Sequence, residues 1–205
     1  MNGKGTFYWD DGVEYAGDFS LGEMKGEGHY TWPDGSQYIG EIFCGKRHGK
    51  GEFDCSTGQR YEGEWKNGKR HGTGTMYYNA ERTIFYCGGW KENQRHGFGS
   101  MTYESGNTYE GEWEYNMKCG QGIMTWLDRA ELHIGQWCGD LPNGHGEHIW
   151  MDAPGKSFQR QICNMYRGEW KDGLRTGYGC FFYANGSQYV GEWEEDMKHG
   201  LGTGE

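Results

Sequence analysis

The 205-residue sequence is first narrowed by what it lacks. Only 34% of its residues are hydrophobic, and aliphatic side chains are too few for a thick globular core. No run of 18 apolar residues occurs, so no membrane-spanning helix is expected. No apolar stretch of secretory type follows Met1 either. Basic residues are the minority, 20 Lys and Arg against 30 Asp and Glu, for a net charge of −10. A nucleic-acid groove needs a basic footprint, so nucleic acid is not an expected partner. An anionic membrane surface repels such a chain on average. The seven cysteines are odd in number and form no Cys-x-x-Cys pair, which argues against a disulfide framework and for a reducing compartment. Glycine and aromatics, by contrast, are abundant, with 39 Gly and 17% Phe, Trp and Tyr. That is too aromatic for a disordered chain and suggests a thin, repetitive sheet.

Residues 61–74, Tyr-Glu-Gly-Glu-Trp-Lys-Asn-Gly-Lys-Arg-His-Gly-Thr-Gly, show the organising unit. Tyr61, Gly63 and Trp65 alternate with acids, the period of a strand with one buried face. Asn67-Gly68 provides the residues that a two-residue hairpin turn demands. Units of this kind start at Tyr15, Tyr38, Tyr61, Tyr86, Tyr109, His133, Tyr166 and Tyr189, after a half unit over residues 1–14. The distance from each start to the first Gly of Gly-x-Gly is eleven residues in all eight units. Length varies only in the connectors, the longest being residues 147–165. Asn185-Gly186-Ser187 has the form of a glycosylation site but is read as one of the connector turns.

A turn closing on Asn67-Gly68 predicts that Gly63 faces Gly72 and that Tyr61 faces Gly74. The Gly-x-Gly pairs would then share the aromatic face, their bare backbone giving each ring a place to lie. On the opposite face Glu64 would meet His71, with Asp18/Lys25, Glu41/His48 and Glu192/His199 as equivalents. Glu112 and Glu169 have no basic counterpart.

Nothing in this pattern supports chemistry. Gly-x-Gly recurs at one position in all nine units, whereas a phosphate loop is a single Gly-rich turn opening a helix. Residues 40–46 and 63–69 fit the Gly-x-x-x-x-Gly-Lys spacing, but Arg follows where a magnesium-binding hydroxyl belongs. His48, His71, His96 and His199 share one repeat position, ~10 Å apart in a sheet, too far to share a zinc ion. No catalytic, cofactor or metal residue is expected. Two surfaces remain as candidates. One is the aromatic face, with Tyr61, Trp65, Tyr109, Trp113, Tyr166 and Trp170 offered to a partner segment. The other is an acidic face of Glu41, Glu64, Glu112, Glu169 and Glu192, suited to a basic partner.

The pattern Tyr-x-Gly-x-Trp-x-x-Gly/Asn/Asp-x-x-x-Gly-x-Gly, at a 23-residue period over nearly the whole chain, resembles the MORN repeat. Residues 46–49 and 69–72 (Lys-Arg-His-Gly), with 31–36 (Thr-Trp-Pro-Asp-Gly-Ser), look like the repeats of radial spoke head proteins. Departures are His133 for Tyr, Ile42 and Phe19 for Trp, and Pro142-Asn143 for the basic pair. The resemblance implies an all-β fold, an elongated, twisted, antiparallel single-layer sheet of tandem β-hairpins. It implies a structural, non-enzymatic subunit of the axonemal radial spoke in a motile cilium or flagellum, cytoplasmic and cytoskeletal. Its partners would be other spoke head proteins and central-apparatus proteins. A phospholipid-associated module and the targeting domain of a larger enzyme are the alternatives. Because the repeats begin and stop in mid-unit, the array is expected to continue in a longer chain or to pair with another one.

Overall fold

The computed structural model describes residues 2–151 and 163–204. The chain divides into two compact halves, Met1–Met101 and Thr102–Glu205. The first half carries β1 (Gly3–Tyr8), β2 (Glu14–Ser20), β3 (Glu23–Thr31), β4 (Gln37–Phe43), β5 (Lys46–Asp54), β6 (Arg60–Lys66), β7 (Lys69–Tyr77), β8 (Phe85–Lys91) and β9 (Gln94–Thr102). Successive strands from β1 to β8 pair antiparallel, and Gly88 of β8 lies against Gly99 of β9. The second half carries β10 (Thr108–Glu114), β11 (Met117–Trp126), β12 (Glu131–Cys138), β13 (Leu141–Trp150), β14 (Asn164–Lys171), β15 (Leu174–Phe182), β16 (Gln188–Glu194) and β17 (Met197–Gly204). These also pair antiparallel in chain order. Among the described residues there is no helix, and the fold is all-β.

The hairpin turns follow the local sequence. Asn67 (φ 52°) and Gly68 (φ 83°) both adopt left-handed backbone, and the other seven hairpins close on two such residues as well. The right-handed twist of the strands selects this turn, and Gly, Asn and Asp at its second position make it accessible. The connector turns are shorter-range devices. In residues 34–36, Asp34 accepts the Ser36 N–H at 2.8 Å while Gly35 takes the positive φ of 87°.

The register differs from expectation in one respect. The turn closes on Asn67-Gly68, with Lys66 opposite Lys69 and Trp65 opposite Arg70. Beyond that point, however, the pairing slips. Gly63 faces Gly74 rather than Gly72, and Tyr61 faces Met76 rather than Gly74. Two extra residues on the return strand are taken up as a bulge, in which Gly72 adopts φ 60°. Equivalent shifts occur after Gly17, Gly40, Gly111, Gly135, Gly168 and Gly191.

One consequence is a line of paired glycines running across the strands. In the first half it passes through Gly5, Gly17, Gly28, Gly40, Gly51, Gly63, Gly74 and Gly88. In the second it passes through Gly111, Gly122, Gly135, Gly146, Gly168, Gly179, Gly191 and Gly202. The long connector is also shorter than the reading of 147–165. Its first residues extend β13 to Trp150 and its last begin β14 at Asn164. Residues 152–162 lie outside the described residues.

Candidate interaction surfaces

The aromatic face is the core of the molecule. Tyr61 is 1% exposed, Trp65 5%, Tyr109 0%, Trp113 2%, Tyr166 0% and Trp170 7%. Each Tyr ring lies on the glycine line. A Cβ added at Gly74 would come within 2.3 Å of the Tyr61 hydroxyl oxygen. Glycine at Gly63 and Gly74 therefore seats the ring, as the sequence suggested. Gly72 does not. A Cβ there would meet the Glu64 carboxylate on the opposite face, at 2.5 Å.

The Tyr hydroxyls and the Trp65 and Trp170 indole N–H groups are spent within the chain. The Tyr61 hydroxyl donates to the Glu64 carbonyl at 3.0 Å, and Tyr38, Tyr86, Tyr109, Tyr166 and Tyr189 donate to the equivalent carbonyls. Burial pushes the Tyr166 phenol up to about 12. The Trp65 indole N–H donates to the Gly51 carbonyl of the preceding unit at 3.1 Å, and Trp90 does the same to Gly74. Tyr61 sits edge-on between its own Trp65, with ring centroids 5.0 Å apart, and Trp90 of the next unit at 5.5 Å. Such pairs each add about 1 kcal/mol beyond the area buried.

Sequence reasoning missed the cover on this core. Arg47 lies 4.3 Å from the Trp65 ring, Arg70 4.4 Å from Trp90, Lys118 4.9 Å from Trp137 and Arg175 4.6 Å from Trp193. Arg47 also donates to the Gly68 carbonyl in the next turn, and Arg70 to the Asn93 carbonyl. A basic residue two positions before the first Gly of Gly-x-Gly was the available signal. A partner approaching this face meets these cations first, with the Tyr and Trp rings beneath them.

The acidic residues lie on the opposite face, and four of the five cap the bulge. Glu64 accepts the Thr73 N–H at 2.9 Å and its hydroxyl at 2.7 Å. Glu41 accepts from Lys50 at 2.8 Å, Glu112 from Gln121 at 2.8 Å and Glu169 from Tyr178 at 3.1 Å. Glu192 stands over Gly200 in the same manner. The hydrogen bonds from Thr73 hold the Glu64 carboxyl below the usual range, with Lys50 and His71 contributing. Glu192 does face His199, but the histidine pairs with Glu194 at 3.4 Å. The expected row of carboxylate–imidazole pairs is thus largely a row of carboxylate-to-backbone contacts.

Gln136 fills the same role, accepting the His145 N–H at 2.7 Å. This natural replacement sets a prediction. Glu64→Gln should leave stability within about 0.5 kcal/mol, while Glu64→Ala should cost about 1–2 kcal/mol by orphaning the Thr73 N–H. Urea unfolding of the two variants measures the difference. Equal losses would show that charge, not the cap, is what Glu64 contributes.

What the polar face offers differs between the halves. In the first half an open trough of about 920 Å³ is floored by Gly51, Gly63 and Gly74 and walled by Glu27, Glu41, Glu52, Glu62 and Glu64, with Lys50 among them. Arg60 is clasped by Glu52 and Asp54, each at 2.6 Å, and by Glu62. In the second half the corresponding trough is lined by Gln121, Ile134, Gln136, His145, Glu147 and Arg167. There Ile123 and Ile134 are 40% and 41% exposed. No group of three or more His, Cys, Asp or Glu among the described residues is placed to hold a metal ion, and no helix is long and apolar enough to cross a membrane.

A hairpin with a buried Tyr–Trp pair on a glycine line, closed by a capped bulge and repeated head to tail, defines a tandem β-hairpin repeat protein. Residues 1–14, 15–37, 38–60, 61–80, 86–108, 109–129, 133–152, 166–188 and 189–203 match the MORN repeat, and the chain belongs to the MORN-repeat family. It is 32% identical to human alsin over 95 residues, 46% of this chain and 5% of alsin. It is 32% identical to the human ALS2 C-terminal-like protein over 96 residues, 47% of this chain and 9% of that protein. It is also 34% identical to MORN repeat-containing protein 3 of Xenopus laevis over 81 residues, 39% of this chain and 32% of that protein. The matched stretches are thus a small part of these relatives' lengths.

Proposed function

We propose that this chain is a non-enzymatic scaffold of the axonemal radial spoke head in motile cilia or flagella, binding other spoke head proteins and facing the central apparatus. The observation that carries the scaffold reading is the self-sufficient core. Tyr hydroxyls bond within their own hairpin and Trp indoles to the preceding one, so both the cation-covered face and the polar face are free to carry partner contacts. The spoke assignment rests on local sequence. Residues 53–57, 76–79 and 105–111, and the long segment before Tyr166, are similar to radial spoke head 10 homologue B. The acidic trough of the first half favours a basic partner there, with binding that weakens as ionic strength rises. A pull-down from isolated axonemes tests the reading. Spoke components should be retained at low salt and released at high salt, and their absence from the bound fraction would overturn it.

The short matches within much longer relatives favour a second reading, a targeting module of a larger protein, including one that docks on phospholipid. Co-sedimentation with anionic liposomes separates the two, since the net charge of −10 opposes such binding.

A further inference from the structure

We propose that Cys119 and Cys138 form a reversible cross-strand disulfide that staples two consecutive hairpin units in the second half of the chain. The two residues flank the last pair of the β11–β12 ladder, Gly120 opposite Trp137. Pairing runs without a shift from Trp126 opposite Glu131 to Gly120 opposite Trp137, and continuing that register by one residue sets Cys119 against Cys138. On the far side the strands are still tied, because the Asp140 N–H donates to the Lys118 carbonyl at 3.2 Å and the Lys118 N–H to the Asp140 carboxylate at 2.9 Å. The pair is therefore held from both directions. Directly opposed residues in antiparallel strands have Cα atoms ~4.5–5.5 Å apart, within the ~4.4–6.8 Å that a disulfide spans.

The side chains also share a face. Cys119 lies opposite Glu112, on the polar side, and Cys138 follows Trp137, which points into the aromatic core. The equivalent position between β3 and β4 joins Lys25 and Phe43. There the two side chains touch, with the Lys25 ammonium 5.2 Å from the Phe43 ring. This repeat position thus brings opposed side chains into contact. The other junctions within each half fill it with Asn2 and Ser20, His48 and Lys66, His71 and Lys91, Asn143 and Lys171, and Thr176 and Glu194. Only the β11–β12 junction has cysteine on both sides, and neither thiol is engaged in a disulfide in this structure.

Cys138 is exposed and Cys119 half-buried. Burial, followed by Glu112 and Glu114, pushes the Cys119 thiol up, so Cys138 is the entry point and Cys119 resolves. The oxidant is a low-molecular-weight disulfide such as oxidised glutathione. The Cys138 thiolate attacks one of its sulfurs, the S–S bond breaks, and one glutathione leaves. The Cys119 thiolate then attacks the Cys138 sulfur and expels the second. Two protein thiols are oxidised, one glutathione disulfide is reduced to two thiols, and these take up the two protons.

The test equilibrates the full chain in buffers of fixed reduced-to-oxidised glutathione ratio, quenches with acid, alkylates and maps peptides by mass. The expected result is one linked pair, Cys119–Cys138, at least tenfold more favoured in native buffer than in concentrated urea and reversed by dithiothreitol. Cys119→Ser should abolish the linkage and leave a glutathione adduct on Cys138. A native chain in which Cys119 and Cys138 carry separate adducts would overturn the proposal. So would linkage to other cysteines, or a native-to-urea ratio near one. The wild-type mapping decides this even if the serine variant fails to fold.

Discussion

Gly63→Ala should destabilise the chain by about 3 kcal/mol or more, a large loss for one methyl group. The added Cβ would stand 2.5 Å from the Gly74 Cα, 2.6 Å from the Thr73 carbonyl oxygen and 2.7 Å from the Tyr61 hydroxyl oxygen. Two of these three are backbone atoms of a paired strand, so the clash cannot be relieved by turning a side chain. Forcing β6 and β7 apart would also lift Tyr61 from its seat and lengthen its bond to the Glu64 carbonyl. Gly68→Ala is the informative comparison. Nothing lies near that Cβ, so its cost is that of left-handed backbone alone, about 1–2 kcal/mol. Urea unfolding followed by tryptophan fluorescence ranks the two variants. If Gly68→Ala were the worse, the glycine line would be a matter of backbone conformation and not of room for rings.

Acidification should weaken the second half of the chain, beginning near pH 6.5. His133 replaces the tyrosine of its unit, is fully buried, and finds no hydrogen-bond partner for either ring nitrogen. His148 lies beside it, ring centroids 5.8 Å apart, with its own Nε2 unpartnered by a hydrogen bond and 3.6 Å from the Glu131 carboxylate. Burial holds both imidazoles down to about 4 from an ordinary 6.5, aided at His133 by His148 and at His148 by Arg175, with Asp196 opposing there. Between these values the unfolded chain binds protons that the folded chain refuses. Stability is therefore intact above pH 6.5, falls as pH drops, and levels off below about pH 4. The cost approaches roughly 3 kcal/mol for His133, at 1.36 kcal/mol per pH unit. His148, held down to the same value, should add a comparable cost. His133→Tyr should remove its own share of the pH dependence and raise stability at neutral pH by about 1–3 kcal/mol. Its hydroxyl can reach the Gln136 carbonyl as its counterparts reach theirs, and two buried, unsatisfied nitrogens disappear. Thermal unfolding at pH 7 and pH 5 measures both effects. A variant with the same pH dependence as the parent would assign the acid sensitivity elsewhere.

The hairpin, its turn, its one-sided aromatic pattern and the seating of Tyr61 on Gly63 and Gly74 were all legible in the sequence. They depend on local spacing, and the eleven-residue interval is the same in every unit. The two-residue slip was not legible. Either Gly of Gly-x-Gly can face Gly63, and the choice is made by the Glu64 carboxylate reaching the Thr73 N–H across the strands. By sequence Glu64 and His71 look like a charge pair, whereas the carboxylate is held by backbone N–H instead. The surfaces were legible only as faces. Tyr61, Trp65, Tyr109, Trp113, Tyr166 and Trp170 do share one, but they are buried there, and the cations of neighbouring units that lie over this face, Arg47 over Trp65, Arg70 over Trp90 and Arg175 over Trp193, are not revealed by alternation within one strand.

The contacts between hairpins run in one direction along the chain. Trp65 reaches back to Gly51, and Arg47 reaches forward to Gly68. A unit therefore has a head and a tail, and any tail accepts any head of the same kind. Removing residues 38–60 would bring Tyr61 to the place of Tyr38 and present Trp65 to Gly28 much as Ile42 is presented now. Length in such a chain is a digit that duplication or deletion can change by one while every junction stays in register. Evolution can thus add or remove units in steps of about 23 residues without redesigning the core.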